Sequence, residues 1–370
     1  MKINGKILVG DVREKIRRIN KESVQMIVTS PPYWRLRDYG DGEEEEDKQL
    51  GLEPTPEEFT QNLVEVFKEC KRVLRPDGTL WLNIGDCYMG TGYTGGVYDT
   101  SDVSIKGKKN YSKGRKHPTI KAGELVGIPW MVAQALSRDG WFLRCPIIWH
   151  KTSSMPTSVK NRPGLNHEYI FLMSKSKQYY YDPYAMKSPT GNMLRSVWKM
   201  GTTKEKNIKH FATFPVELPL RCIKLGSSEG GCCHKCKTPY VRDLKISKKD
   251  VEVDKKALLK KKQDRGILGG DDCGLKKPPI YRETIGWKQD CDCKKALSIP
   301  CRVMDPFMGS GTTAVAAEKL KRRWVGVELF PKNKEIAINR IKSFIVGADY
   351  MPEEKRKAIK KVGFGLSRKC

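Results

Sequence analysis

Long apolar runs are missing from this 370-residue chain, and nothing in it approaches the stretch of about 20 apolar residues that a membrane-spanning helix needs. The opening Met1-Lys2-Ile3-Asn4-Gly5-Lys6 also lacks the apolar core of a secretory signal, so a cytoplasmic protein with no membrane partner is expected. Acidic residues are in short supply: Asp and Glu number 43 against 70 Lys and Arg, a formal charge of +27. A solvated surface needs no such excess. The imbalance points to a polyanionic partner, DNA or RNA first, and so to a nucleoid-associated protein. A lysine-rich composition shared by a whole proteome is the bland alternative. Internal repeats are absent as well. Cysteine is not scarce, at 12, and in a reducing compartment clustered cysteines suggest metal rather than disulfides.

Along the chain, short apolar strands alternate with amphipathic helices. Ile7-Leu8-Val9 runs into Gly10-Asp11, and Val24 to Val28 runs into Thr29-Ser30-Pro31-Pro32-Tyr33-Trp34. Phe59, Leu63, Val66, Phe67, Cys70, Val73 and Leu74 have helical spacing and stop at Pro76-Asp77-Gly78, after which 79–84 reads as a strand ending in Gly85-Asp86. A helix over 127–136, strands over 141–149 and 169–173, and a helix over 214–225 follow. The rhythm resumes with a strand at 302–304, a glycine turn, a helix over 312–320, a strand at 324–327 and a helix over 332–341. This alternation predicts an α/β fold with a doubly wound, mostly parallel sheet. Prolines cannot continue a central strand, so the Ser30 turn must lie just past a strand's carboxyl end, where open α/β sheets bind ligands.

Two segments break the pattern. Residues 89–121 are rich in Gly, Tyr and Lys, with Lys106, Lys108, Lys109, Lys113, Arg115 and Lys116, and read as a DNA-contacting, target-recognising insertion helped by 153–166 and 184–209. A solvated loop is the competing reading for each. Residues 226–299 form a second insertion, rich in Cys and Lys. This leaves 1–225 and 300–348 for the catalytic domain and 349–370 for a basic tail.

The Ser30 turn suits an exocyclic amine on a nucleobase. Such an amine is a weak nucleophile, because its lone pair is delocalised into the ring. Acceptors that hold its N–H groups help it rotate toward sp³ geometry. Pro31 and Pro32 have no N–H, so the turn offers carbonyl oxygens without competing donors. Ser30 adds a hydroxyl, and Tyr33 an aromatic face for a base flipped from the duplex. A merely rigid Pro-Pro turn is the alternative. Asp305-Pro306-Phe307-Met308-Gly309-Ser310-Gly311-Thr312-Thr313 follows a strand and opens a helix, so the Gly309 and Gly311 backbones can approach a ligand closely. It lacks the spacing of the dinucleotide fingerprint. Glu328, at the end of the next strand, is placed to hold ribose hydroxyls. Pro300-Cys301 is the dipeptide of a C5-cytosine nucleophile, but it leads straight into the strand at 302–304, where packing is the simpler role.

Together these segments resemble the β class of DNA amino-methyltransferases, whose catalytic motif precedes the cofactor motif. The likeness covers most of the chain outside 89–121 and 226–299. It implies S-adenosyl-L-methionine as cofactor, with Asp305, Phe307, Gly309, Gly311 and Thr312 at its methionine end, Glu328 at the ribose and Asp11 near the adenine. Thr29 joins this cofactor set, while Ser30, Pro31, Pro32 and Tyr33 form the catalytic turn. His210-Phe211-Ala212-Thr213-Phe214-Pro215 resembles the family's pocket-closing helix start, with Phe214 against the methionine moiety. Members with Ser-Pro-Pro-Tyr are mostly N4-cytosine enzymes, and those with Asp or Asn in place of Ser mostly N6-adenine enzymes. The implied activity is N4-cytosine methylation of double-stranded DNA, with N6-adenine as the alternative. An RNA methyltransferase and an inactive zinc-containing nucleic-acid binder stand further off. A cognate restriction endonuclease is the partner such enzymes suggest.

In the second insertion, Cys233-x-x-Cys236 and Cys291-Asp292-Cys293 are two close pairs that can make a four-thiolate structural zinc site with the intervening segment extruded. The surroundings of the first pair, Gly230-Gly231 and Pro239-Tyr240, resemble a zinc knuckle, so a small zinc-ribbon-like insert is expected. Cys232 and His234 compete as ligands, Cys273 less so. Free buried thiols are the alternative.

Overall fold

The computed structural model describes residues 3–36, 39, 48–90, 117–154, 159–186, 193–202, 214–248 and 280–349. The lysine cluster at 106–116, the motif residues His210 to Thr213, and Cys273 lie outside them.

A single sheet of eight strands organises the described chain: β1 (Gly5–Val9), β2 (Val24–Thr29), β3 (Leu74–Ile84), β4 (Phe142–Lys151), β5 (His167–Ser174), β6 (Val197–Met200), β11 (Arg302–Asp305) and β12 (Arg323–Glu328). Their order across the sheet is β1-β12-β11-β2-β3-β5-β4-β6. Every neighbouring pair is parallel except the two that β5 makes, with β3 and β4. β2 is buried at all six positions, as expected of a central strand covered on both faces.

Helices cover the two faces. On one lie α1 (Val12–Lys15), α2 (Pro56–Val73) and α3 (Ile128–Arg138), packed around Phe59, Leu63, Phe67, Val132 and Leu136. On the other lie α4 (Glu217–Gly226), α5 (Thr312–Lys319) and α6 (Pro331–Asp349), packed around Leu218, Cys222, Ala316 and Ala337. α2 is started by Thr55, whose hydroxyl accepts from the Glu58 amide at 3.2 Å, with Pro56 in the first turn. Asp86 does the same work for α3 from a distance, accepting from the amides of Gly127 and Ile128 at 3.0 and 3.1 Å.

Three differences from the sequence expectation stand out. β3 starts directly at Leu74 and carries Pro76-Asp77-Gly78 inside it, and a bulge between the pairs Val24–Leu74 and Met26–Thr79 absorbs the extra residues. β6 is an edge strand within 184–209, where DNA contacts alone were expected; Trp198 and Met200 face inward and Val197 outward. The Cys-rich insertion holds β7 (Cys232–Cys233), which pairs with β10 (Ser298–Ile299), and a separate ribbon of β8 (Val241–Lys248) and β9 (Ile280–Lys288). Among the described residues no helix is long and apolar enough to cross a membrane.

Candidate active site

The carboxyl ends of β1, β2, β3, β11 and β12 meet at one edge of the sheet, joined by the start of the reversed strand β5. At the centre is Asp305, the last residue of β11, which is 2% exposed. Its Oδ1 accepts from Thr29 Oγ1 at 2.6 Å and from the Phe307 amide at 3.0 Å, and its Oδ2 accepts from Thr313 Oγ1 at 2.6 Å. Burial pushes its carboxyl up to about 7, against the pull of those three donors. Thr29, expected among the cofactor residues, therefore spends its hydroxyl proton on Asp305.

The loop after Asp305 turns back over the sheet. Gly311 precedes α5 with φ of +82°, and an added Cβ would stand 2.9 Å from that of Ala337, so both its conformation and its packing call for glycine. The Gly309 amide donates to Glu328 Oε2 at 2.8 Å, and Asn333 Nδ2 donates to Glu328 Oε1 at 2.9 Å. Burial raises the Glu328 carboxyl, and these donors work against it. Thr312 Oγ1 accepts from Arg340 Nη1 at 2.7 Å, which brings a guanidinium to the glycine turn. Phe307 meets Phe67 edge-on, with ring centroids 6.5 Å apart.

Asp11 follows β1, whose partner strand β12 ends at Glu328, and the Gly10 amide donates to the Glu328 carbonyl at 2.9 Å. Burial opposes ionisation of Asp11, but its bonds to Arg13 hold the carboxyl below the usual range. Phe214 lies ahead of α4. The far end of that helix abuts Ser227, whose hydroxyl accepts from Arg322 just ahead of β12, and Gly226 packs on Met26 and Trp81. Phe214 is partly buried against the core on this face of the sheet. The structure thus gathers Asp11, Thr29, Asp305, Phe307, Gly309, Gly311, Thr312 and Glu328 at one sheet edge, with Phe214 ahead of α4 on one face.

Ser30 and Tyr33 occupy the neighbouring ground past β2. Pro31 is buried, and the Tyr33 ring lies over Gly85 so closely that a Cβ there would come 2.7 Å from it. Tyr33 Oη donates to Glu168 Oε2 at 2.6 Å, and Ser30 Oγ donates to Tyr33 Oη at 3.4 Å. Asn83 Nδ2 and Lys151 Nζ also reach Glu168, at 3.0 and 2.5 Å. Neither Lys151 nor Asn83 was singled out from the sequence.

The thiols are elsewhere. Sγ atoms of Cys233, Cys236, Cys291 and Cys293 lie within 4.8 Å of one another. A four-thiolate zinc site has Zn–S bonds of about 2.3 Å and hence S···S separations of about 3.8 Å, so small adjustments close a shell around the ion. The rival ligands are otherwise engaged. His234 Nδ1 accepts from the Leu297 amide at 2.9 Å, and Cys232 Sγ accepts from Gln25 Nε2 at 3.4 Å. Gln25 and Arg75, which contact this knuckle, sit at the starts of β2 and β3, and Cys301 is buried ahead of β11. The cluster is therefore at the amino end of the sheet, about 17 Å along β2 from Ser30. A cavity of about 650 Å³ lined by Lys224, Arg242, Lys321 and Arg322 opens at the same end, and no residue of either motif lines it.

Comparison with known proteins agrees with this geometry. The DNA methylase family model N6_N4_Mtase matches residues 24–234 and 302–339, which include the Ser30 turn, the Asp305 turn and Glu328. Type II methyltransferase M.SmaI of Serratia marcescens is 34% identical over 342 residues, covering 91% of this chain and 90% of its own. Type II methyltransferase M.Cfr9I of Citrobacter freundii is 36% identical over 348 residues, covering 92% and 89%. Among solved structures, PvuII DNA methyltransferase (cytosine-N4-specific) shares the fold, with a TM-score of 0.55 at 17% identity over 96% of this chain and 91% of that one. With its two motifs joined in one buried site and relatives matching it nearly end to end, the chain belongs to the N6/N4 family of DNA methylases.

Proposed function

We propose that this DNA methylase transfers the methyl group of S-adenosyl-L-methionine to the N4 amine of cytosine, flipped out of double-stranded DNA. One observation carries the reading most of the way. Thr29, the residue before Ser30, donates to Asp305, the first residue of the glycine turn, at 2.6 Å. The amine turn and the cofactor turn are thus one hydrogen-bonded unit rather than two neighbouring motifs. Ser at position 30 supports cytosine. The solved cytosine-N4-specific methyltransferase of like fold is consistent with it.

When bound, S-adenosyl-L-methionine supplies a methyl group made electrophilic by its positive sulfur. Asp305, Glu328 and the amides of the Gly309 loop line its place, with Asp11 and Phe214 at the flanks. Ser30 Oγ and the carbonyls of the Pro31-Pro32 turn accept the amine's N–H groups and draw its lone pair out of the ring. The Tyr33 ring stacks on the flipped base. No strong base is required, because the nitrogen becomes acidic once it carries the methyl group. Positioning supplies the rate.

Two further parts complete the proposal. Cys233, Cys236, Cys291 and Cys293 hold a structural Zn²⁺ whose four thiolates leave no open coordination position. The charge of +27 serves binding to the DNA backbone, and an endonuclease of the same target specificity is the partner the Type II relatives suggest.

Incubation with isotopically labelled S-adenosyl-L-methionine and unmethylated DNA, followed by mass spectrometry of the digested nucleosides, tests the reading. Labelled N4-methylcytosine is expected. Labelled N6-methyladenine would keep the site and overturn the base assignment, and no labelled DNA nucleoside would overturn DNA amine methylation altogether.

A further inference from the structure

We propose that Glu168, clamped by Lys151, is the positioning residue that sets the direction of the hydrogen bonds running through Tyr33 to Ser30. This deepens the amine-transfer reading and rests on it. Glu168 is the second residue of β5, and Lys151 is the last of β4. They face one another because β4 and β5 pair in antiparallel register, with Trp149 opposite Glu168. Both are buried, at 7% and 9% exposure, and their ion pair closes at 2.5 Å. A buried ion pair is weak evidence for stability, so its retention beside the amine turn asks for another explanation.

The donor inventory supplies one. An ionised carboxylate only accepts, and a lysine ammonium only donates. Lys151 Nζ takes Glu168 Oε1, and Asn83 Nδ2 takes Oε2 at 3.0 Å. Tyr33 Oη meets the same Oε2 at 2.6 Å, so its single proton must point at Glu168. Towards Ser30 the phenol oxygen then offers lone pairs, and Ser30 donates to it, the two oxygens being 3.4 Å apart. With its proton drawn to Tyr33 across this long contact, Ser30 turns lone pairs toward the incoming base. An exocyclic amine presents two N–H donors, so this is the polarity it needs. The ion pair works as an orienting device two hydrogen bonds away from the amine.

The chain of polarity makes an unusual prediction for the near-isosteric Glu168→Gln. Lys151 and Asn83 Nδ2 both can only donate, but the charged ammonium makes the stronger bond, so Lys151 claims the amide oxygen and leaves the amide NH₂ facing Tyr33 and Asn83. Tyr33 must then accept, its proton swings to Ser30, and the Ser30 proton swings toward the amine, donor against donor. Glu168→Asp keeps an acceptor-only group and should recover part of the loss.

Steady-state kinetics of the full chain with labelled S-adenosyl-L-methionine and DNA decide the matter. Glu168→Gln is expected to lower kcat about 100-fold while KM for cofactor and DNA stays within about threefold. Tyr33→Phe removes the link, so it should cost about tenfold alone, and adding Glu168→Gln to it should cost less than about threefold more. A Glu168→Gln enzyme with wild-type kcat, or the same full loss in both backgrounds, overturns the inference. Should Glu168→Gln fail to fold, Tyr33→Phe decides alone, since it deletes only a hydroxyl from a half-buried ring: an unchanged kcat overturns the inference. A wild-type chain that labels no nucleoside overturns the parent reading, and the inference with it.

Discussion

At the carboxyl end of the sheet the buried charges are mostly carboxylates: Asp305, Glu328, Glu168 and Asp11. At the amino end they are of both signs, the guanidinium groups of Arg75 and Arg322 and the carboxylate of Asp182, which Arg242 pairs at 2.7 Å, set among the buried thiols of Cys232, Cys233 and Cys301. The arginines are already satisfied. Arg75 binds Asp77 at 2.8 Å and the Cys236 carbonyl, while Arg322 binds Ser227 Oγ at 3.1 Å and the Leu320 carbonyl at 2.7 Å. Asp305 is held by two hydroxyls and an amide, all neutral, and its carboxyl is raised to about 7. Asp11 and Glu168 already pair with Arg13 and Lys151, so the acids left to meet a cationic ligand are Asp305 and Glu328, both held by neutral donors. The difference lies in which groups terminate the strands, since the strands themselves are shared.

The largest effects should come from the carboxyl end and should split by residue. Asp305→Ala is expected to weaken S-adenosyl-L-methionine binding about 100-fold by titration calorimetry, since it removes the central acid and the acceptor that Thr29 and Thr313 share. Ser30→Ala should lower kcat by a similar factor of about 100 with cofactor affinity within about threefold. Swapped phenotypes would overturn the division between the two turns.

At the amino end the expected loss is in stability. Chelation of zinc, or Cys236→Ser, should lower the melting temperature by roughly 5–10 °C while cofactor binding in the cold is retained. An unchanged melting profile with no metal detected by atomic emission would remove the zinc site from the proposal. If cofactor affinity fell in step, the two ends would not be independent.

A smaller effect concerns pH. Before ligand binds, the Asp305 carboxyl, raised to about 7 by burial, keeps its proton at pH values below that. A cationic ligand favours the ionised form, so binding releases a proton there. Affinity should rise by up to about tenfold per unit as pH climbs toward 7 and level off above it. Stability should move the other way. The unfolded carboxyl has its ordinary value of 3.8, so ionisation favours the unfolded chain between there and about 7. An Asp305→Asn variant with the same affinity slope would place the proton on another group.

What could be read from the sequence was whatever interrupts a regular element. Pro31-Pro32 and Gly309-x-Gly311 stop strands abruptly, so their place past strand ends followed from the backbone alone, and Glu328 stood out as an acid ending an apolar run. Lys151 and Asn83 were hidden, because a lone polar residue near a strand end looks the same whether it meets solvent or a buried acid. Only the registers of β4 and β3 against β5 reveal the meeting with Glu168. β6 was hidden too, because four residues are too few to show a period. The cysteine pairs show the converse: their chemistry was legible at once, but their position at the amino end was not, since it depends on Gln25 and Arg75.

The order of strands has a consequence for how this protein comes into being. β2 pairs with β11, and the bond from Thr29 to Asp305 closes a sequence separation of 276 residues. While the ribosome is still making the chain, the amine turn exists without its acid, and the central strand β2 lacks a neighbour on one side until more than four-fifths of the protein has been made. No truncated product ending before β11 can methylate anything. The nascent chain meanwhile carries an open strand edge that invites pairing with the wrong partner, so slow translation or a missing carboxyl-terminal fifth should show itself as aggregation rather than as partial activity.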